Sequence, residues 1–408
     1  MNKNTKKRSL AARILCWGVS VLLVLVLVLT GTVYGIWHNE IHTIASIEHV
    51  RDRNDAHLDG DVYTMHVSGG FYLDEFVEQG GVRSDSELID FITGKLTRGL
   101  LKMDMSAPDI GCASFTAKTP DGDVLFGRNY DFAKTNTCII FTEASEGRHA
   151  TISTADLQFV GVDTETGITS LMDKVLSLAA VYAPLDGIND AGVSCGIYMT
   201  YQGDKTVATN QNTDKPDFTS TTLLRLILDY ADNVEEAVQI ASTYDLHDSA
   251  NTSYHYMVAD ASGKSAILEW VAGTDATDND GSARKLVVHY NDNDSYVGEA
   301  EGNSASQWVT NFVVNPGYYD GCDPSAKKGY DRYLKLQQEL TDRNGVVADE
   351  DAAMEILGMI GRRTWNNDDG NGCTVHSAVF NLTKKTMLWV SNENFDDPTA
   401  VFEFGFDK

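Results

Sequence analysis

The chain has 408 residues, 42% of them hydrophobic, and a formal net charge of −27. Its length allows one large domain or two ordinary ones, and its apolar content excludes a disordered chain. The acidity makes nucleic acid and anionic membrane surfaces poor partners, and it says nothing about chemistry.

The first segment stands apart. Lys3, Lys6, Lys7, Arg8 and Arg13 make residues 1–13 a basic flank, and the stretch ILCWGVSVLLVLVLVLTGTVYGIW, residues 14–37, carries no charge. About 20 apolar residues span a bilayer as a helix, so 14–37 is expected to be a transmembrane anchor. The basic flank then stays in the cytoplasm and the remainder is outside. A cleaved signal peptide is the competing reading. The first reading gives a single-pass protein of the cell membrane with an extracellular domain; the second gives a secreted protein.

Residues 38–111 are expected to be a leading segment or pro-segment. It holds one helix, SDSELIDFITGKLTRGLL, with Leu88, Phe91, Ile92 and Leu96 at helical spacing. From Cys112 the pattern changes to a strand, CASFTAK, a turn, TPDGD, and a second strand, VLFGRNYDF. Two helices follow: STTLLRLILDYA, capped by Ser220 or Thr221, and NVEEAVQIAS, where Asn233 precedes Glu236 by three. The stretch SYHYMVADASGKSAILEW then reads as a hairpin around DASGK. Helices YDRYLKLQQEL and DEDAAMEILGMI come next, and a last hairpin, VHSAVFNLTKKTMLWVS, follows them. Strands and helices in blocks predict a layered α+β fold over residues 112–408.

Six cysteines occur, at 16, 112, 138, 195, 322 and 373, and no CxxC pair. That spacing excludes zinc ribbons and thioredoxin-like chemistry. GVSCG, residues 192–196, matches the nucleophile elbow of serine hydrolases, but that motif needs a strand before it and a helix after it. Here a turn precedes and a strand-like IYMTY follows. DATDNDG and NDNDS lack the register of a calcium loop and read as solvated turns. No metal site is expected.

The sharper signal is the first hairpin. With Asp121 and Gly122 as the central turn residues, Cys112 falls opposite Asp131 and Phe115 opposite Arg128; a bulge shifts this register by one. A cation near sulfur favours thiolate, the nucleophilic form, whereas a structural cysteine beside an ion pair is the plain alternative. If the Gly111–Cys112 bond is cut, Cys112 also gains an α-amine, with an ordinary pKa of about 7.7–8.0. One residue then supplies nucleophile and base.

These residues resemble the start of the mature choloylglycine hydrolase family, which includes bile salt hydrolases and penicillin V acylases. Acid ceramidase-like and isopenicillin N acyltransferase enzymes are its relatives. The resemblance rests on Cys112, Arg128 and Asp131, then on DGINDAGVSCGI, the central hairpin, WVTNF with Asn311, and GYDRY with Arg332. It implies a four-layer αββα N-terminal-nucleophile hydrolase fold, here preceded by one transmembrane helix. It also implies cleavage of linear amide C–N bonds through a cysteine thioester, after autoproteolysis at Gly111.

Under the resemblance Cys112 is the nucleophile, Arg128 favours its thiolate, Asp131 orients the α-amine, Asn311 donates to the oxyanion, and Arg332 organises the site. Met199, with Tyr198 adjacent, falls where the family uses a backbone N–H for the oxyanion. A long leader is a feature of the ceramidase-like and acyltransferase relatives. The expected partners are a small N-acyl amide and the membrane, with no nucleic acid and no cofactor, and a homo-oligomer stays open. Acyl transfer on the same thioester and a non-catalytic surface binding protein are the rival readings.

Overall fold

A computed structural model describes residues 3–96, 111–202, 205–273, 280–292, 306–363 and 372–406. The chain begins with helix α1 (Lys3–Ala45), of which Leu15–Ala45 is long and apolar enough to cross a membrane, with a mean hydropathy of 2.5 over an 18-residue window. Its apolar side chains from Leu15 to Leu29 are exposed. The helix kinks at Trp37 (φ −120°, ψ 28°), where the uncharged stretch ends. Past the kink it joins the folded body: Trp37 Nε1 donates to Leu96 O at 3.0 Å, and Glu40 and Thr43 are buried.

Among its described residues, the rest of the leading segment holds strands β1 (Glu48–Arg51) and β2 (Val62–Val67) and helices α2 (Leu73–Glu78) and α3 (Asp85–Leu96). The helix expected over residues 84–101 is α3; residues 97–101 lie outside the described residues. The body continues through β3 (Gly111–Lys118), β4 (Val124–Phe132), β5 (Thr137–Thr142), β6 (Thr151–Asp156) and α4 (Leu171–Ser177). Then come β7 (Asp186–Asn189), β8 (Ser194–Met199), β9 (Asp217–Thr219), α5 (Ser220–Tyr230), α6 (Val234–Thr243) and β10 (Asp245–His247). The central hairpin is β11 (Tyr254–Ala259) and β12 (Ser265–Val271), followed by β13 (Lys285–Tyr290) and β14 (Trp308–Val309). Helices α7 (Tyr330–Asp342) and α8 (Glu350–Met359) precede β15 (Cys373–Asn381), β16 (Thr386–Ser391) and β17 (Val401–Gly405).

Two sheets form the core. One has nine strands, in the order β1-β2-β5-β6-β7-β8-β11-β12-β13; the other has six, β14-β3-β4-β15-β16-β17. Helices α5 and α6 pack on the larger sheet and α7 and α8 on the smaller. The sheets meet face to face where β3 touches β8, which gives the layers α, β, β, α. Covered on both faces, β4, β6, β8, β11, β12 and β15 are buried along their whole lengths. That is why Ser114 and Thr116 of β3 are buried with their apolar neighbours instead of alternating with them into solvent. The leading segment shares this core: β2 pairs in parallel with β5, from Val62 opposite Thr137 to Val67 opposite Thr142.

The α5 cap is Thr219, one residue before the expected pair, because its N–H and hydroxyl both reach Thr222 Oγ1, at 2.8 and 3.1 Å. Asn233 caps α6 as expected, accepting from Glu236 N at 3.0 Å. In GVSCG, Ser194 is buried in β8 and donates to Gly187 O, and no helix follows, so no nucleophile elbow forms. The two acidic turns fall largely outside the described residues.

Candidate active site

The β3–β4 hairpin sets the site. Its turn is Thr119-Pro120-Asp121-Gly122, with Gly122 N donating to Thr119 O at 3.0 Å and Gly122 at φ +93°. Proline suits the second position of such a turn, and glycine takes the left-handed position that follows. Pro120 and Asp121 are therefore the central pair, and the register shifts by one from the expected one. Gly111 lies opposite Asp131, Cys112 opposite Tyr130, and Ser114 opposite Arg128. Gly111 has a steric reason: a Cβ there would stand 2.9 Å from Asp131 Oδ2.

Cys112 is fully buried, and its thiol lies 3.6 Å from Ile197 O on the facing strand β8. Arg128, two pairs along the hairpin, is also fully buried between the sheets. Its Nε donates to Asp186 Oδ2 at 3.1 Å, and its guanidinium carbon lies 4.4 Å from the Tyr198 ring centre. His376 Nε2 reaches the same Asp186 oxygen at 2.7 Å. Burial works against the Asp186 charge, but His376 and Arg128 together hold that carboxyl below its ordinary range. Arg128 is itself pushed further up, because nearby anionic groups outweigh its desolvation. The Tyr198 hydroxyl donates to Ser114 Oγ at 2.5 Å, so this side chain braces Arg128.

A second arginine closes the other side. Arg332, in the first turn of α7, donates from Nη1 to Asp131 Oδ2 at 2.5 Å. Its Nη2 lies 3.4 Å from Cys112 O and 3.3 Å from Asn311 Oδ1. Asp131 Oδ1 accepts from the Thr374 hydroxyl at 2.7 Å. Asn311 Oδ1 accepts from Cys112 N at 3.0 Å, and its Nδ2 donates to Met199 O at 2.9 Å. Met199 thus meets the site through its carbonyl. Burial pushes the Cys112 thiol up; Arg128 and Arg332 oppose that, and Asp131 adds to it.

All the residues singled out in the sequence, Gly111, Cys112, Arg128, Asp131, Tyr198, Met199, Asn311 and Arg332, meet at this seam between the sheets. Sequence reasoning missed Asp186, His376 and Thr374. Asp186 opens the quoted DGIND turn, and the other two sit in β15. Elsewhere, among the described residues, His49, Asp52 and Asp61 are close enough to share a cation. Asp61 there is already paired with Arg53 and accepts from the Tyr63 hydroxyl, so its charge is compensated.

No curated protein matches the chain. Among solved structures it is similar to a conjugated bile acid hydrolase from Clostridium perfringens, at 15% identity and a TM-score of 0.46, covering 72% of this chain and 92% of that one. It is also similar to penicillin V acylase from Agrobacterium tumefaciens, at 15% identity and a TM-score of 0.44, covering 73% and 87%. A third is the Caenorhabditis elegans ortholog of N-acylethanolamine-hydrolyzing acid amidase, at 15% identity and a TM-score of 0.36, covering 67% and 93%. Residues 112–275, which carry Cys112, Arg128, Asp131 and Asp186, match the model of the linear amide C-N hydrolases, choloylglycine hydrolase family. The resemblance read from Cys112 onward is therefore, over that segment, one to the linear amide C–N hydrolases of this family.

Proposed function

We propose that the chain is an amidase that cuts itself at Gly111–Cys112 and then hydrolyses N-acyl amides through a thioester on Cys112. One observation carries this reading. Side chains roughly 200 residues away in sequence converge on the backbone of Cys112: Asn311 on its nitrogen and Arg332 on its carbonyl. A cysteine that only fills the core needs no such hold on its main chain. A nucleophile whose own nitrogen becomes the base does.

Hydrolysis of the Gly111–Cys112 peptide adds water, leaving a carboxylate on Gly111 and an amine on Cys112. The amine takes the thiol proton as sulfur attacks the substrate carbonyl. Arg128 and Arg332 favour the anionic sulfur. Asn311 Nδ2 gives one hydrogen to Met199 O and has a second to donate to the oxyanion, and a donor of this kind contributes about 10²–10³ in rate. The protonated amine returns its proton to the leaving amine, and water then hydrolyses the thioester. Asp131, held by Arg332 and Thr374 beside the Cys112 main chain, stabilises the ammonium.

The chain is further read as anchored, with its catalytic part outside the cell. Supporting this, α1 continues past Trp37 into turns that are packed against the body, so the apolar span and the fold are one element.

The test uses the full chain in detergent. N-terminal sequencing should find a fragment beginning at Cys112. Conjugated bile salts, penicillin V and long-chain N-acyl amines, each with and without an acceptor amine, then identify the substrate and separate hydrolysis from acyl transfer. An active preparation that contains only intact chain would sink the mechanism.

A further inference from the structure

Behind Asn311 lies a buried charged cluster that the reaction above does not use. Glu269 of β12 is fully buried and its carboxylate has four partners. Oε1 lies 2.8 Å from His255 Nδ1, directly opposite it on β11, and accepts from Val314 N at 2.8 Å. Oε2 accepts from Asn315 N at 3.0 Å and lies 3.2 Å from His289 Nε2 on β13. The other ring nitrogen of His255, Nε2, is 2.8 Å from Thr310 O.

The protons follow from these partners. A carbonyl oxygen accepts and cannot donate, and an ionised carboxylate likewise. Burial works to raise Glu269, yet hydrogen bonds from His255 and His289, with their charges, hold it down at about 2, so it is ionised. Each nitrogen of His255 thus faces an oxygen, Glu269 Oε1 on one side and Thr310 O on the other.

Thr310 and the pair Val314–Asn315 bracket Asn311. We propose that Glu269 and His255 are positioning residues that clamp both sides of Asn311: His255 holds the carbonyl before it, and Glu269 holds two amides after it. This rests on the reading of Asn311 as the oxyanion donor. A fully buried carboxylate is a weak way to stabilise a core, because its desolvation offsets most of what its partners return. A rigid, charge-assisted strut is what a transition-state donor requires, since a displacement of about 1 Å there costs on the order of 10²-fold in rate.

The experiment compares His255→Asn with His255→Gln in the full chain. Asparagine places its amide where Nδ1 stood, keeping the link to Glu269 and losing Thr310. Glutamine reaches the Nε2 position and keeps a donor on Thr310 O. Both keep a polar group in the site, and neither leaves a large cavity. Three readouts are taken: turnover of the amide identified above, alkylation of Cys112 by iodoacetamide, and hydrogen exchange of the peptide spanning 308–319 without substrate. In His255→Asn, kcat should fall about 10²-fold with KM nearly unchanged, exchange should rise, and alkylation should hold. His255→Gln should stay close to the unsubstituted chain in all three. Equal kcat and equal exchange in the two variants overturn the clamp, as does a parallel loss of alkylation, which marks general disruption. If the unsubstituted chain turns over no amide, the amidase reading fails by itself, and exchange still decides whether His255 holds this segment.

Discussion

Cys112 on β3 and Cys138 on β5 are both fully buried strand residues, and burial pushes both thiols above the ordinary value. For Cys138 burial is the whole cause, and its sulfur lies 3.8 Å from the carbonyl of the next residue, Ile139. Around Cys112 two guanidinium groups oppose the burial, and Asn311 and Arg332 hold its main chain. Burial alone thus makes an inert, protonated thiol. Cations and a held backbone are what set one buried cysteine apart from another.

Substituting each cysteine tests the comparison most severely. Cys112→Ser keeps the amine after any cleavage but supplies a hydroxyl, so kcat should fall on the order of 10³-fold or more, as for other nucleophiles. Cys138→Ala should leave kcat within a few-fold and cost only about 1–2 kcal/mol of stability through the small cavity it opens. Steady-state hydrolysis and thermal melting read both. A loss of kcat in Cys138→Ala as large as that in Cys112→Ser would end the distinction.

A second test makes the surroundings of Cys112 more like those of Cys138. Arg128→Gln alone takes the guanidinium from the buried Asp186 carboxylate, leaving it to His376, and should cost about 3–5 kcal/mol, which confuses folding with function. The double variant Arg128→Gln/Asp186→Asn removes both charges together and should fold. The sign is fixed: Arg128 lowers the thiol, so its loss lets burial raise it further. The pH profile of Cys112 alkylation should move to higher pH, and kcat near neutrality should fall about 10²-fold. An unmoved profile in the folded double variant would mean that Arg128 only fills and ties the core.

How far the sequence revealed this site depended on distance along the chain. Residues 112–132 announce a strand, turn and strand because alternation and turn chemistry are local, and α5 to α8 show their apolar faces for the same reason. The register slipped by one because Pro120 takes the second turn position and moves the centre off Asp121-Gly122. Strand β2 was missed: its partner β5 lies some 75 positions on, and parallel pairing leaves no local mark. Asp186, His376 and Thr374 were missed likewise. Their partners Arg128, Asp186 and Asp131 are 58, 190 and 243 positions away; the stacking of the sheets joins the first two pairs, and the pairing of β15 with β4 joins the third.

The smallest expected effect concerns Thr374, whose role no pattern announced. Its hydroxyl donates to Asp131 Oδ1 at 2.7 Å and accepts from Arg362 N at 2.7 Å. Thr374→Val keeps the shape and removes both bonds. Asp131 is fully buried, so its Oδ1 then has no donor among the described residues, while Arg332 still holds Oδ2. Losing one hydrogen bond to a buried carboxylate costs about 1.5–3 kcal/mol, shared between folding and the transition state. If about half of that falls on the chemistry, kcat should drop three- to tenfold, with KM unchanged, because Asp131 acts on Cys112 and not on the substrate. Thr374→Ser keeps the hydroxyl and should recover most of the rate while losing one methyl group of packing. Measuring kcat and melting temperature for both variants separates the two contributions. If valine keeps the rate that serine loses, the methyl matters and the hydroxyl does not, and Asp131 is held in place by Arg332 alone.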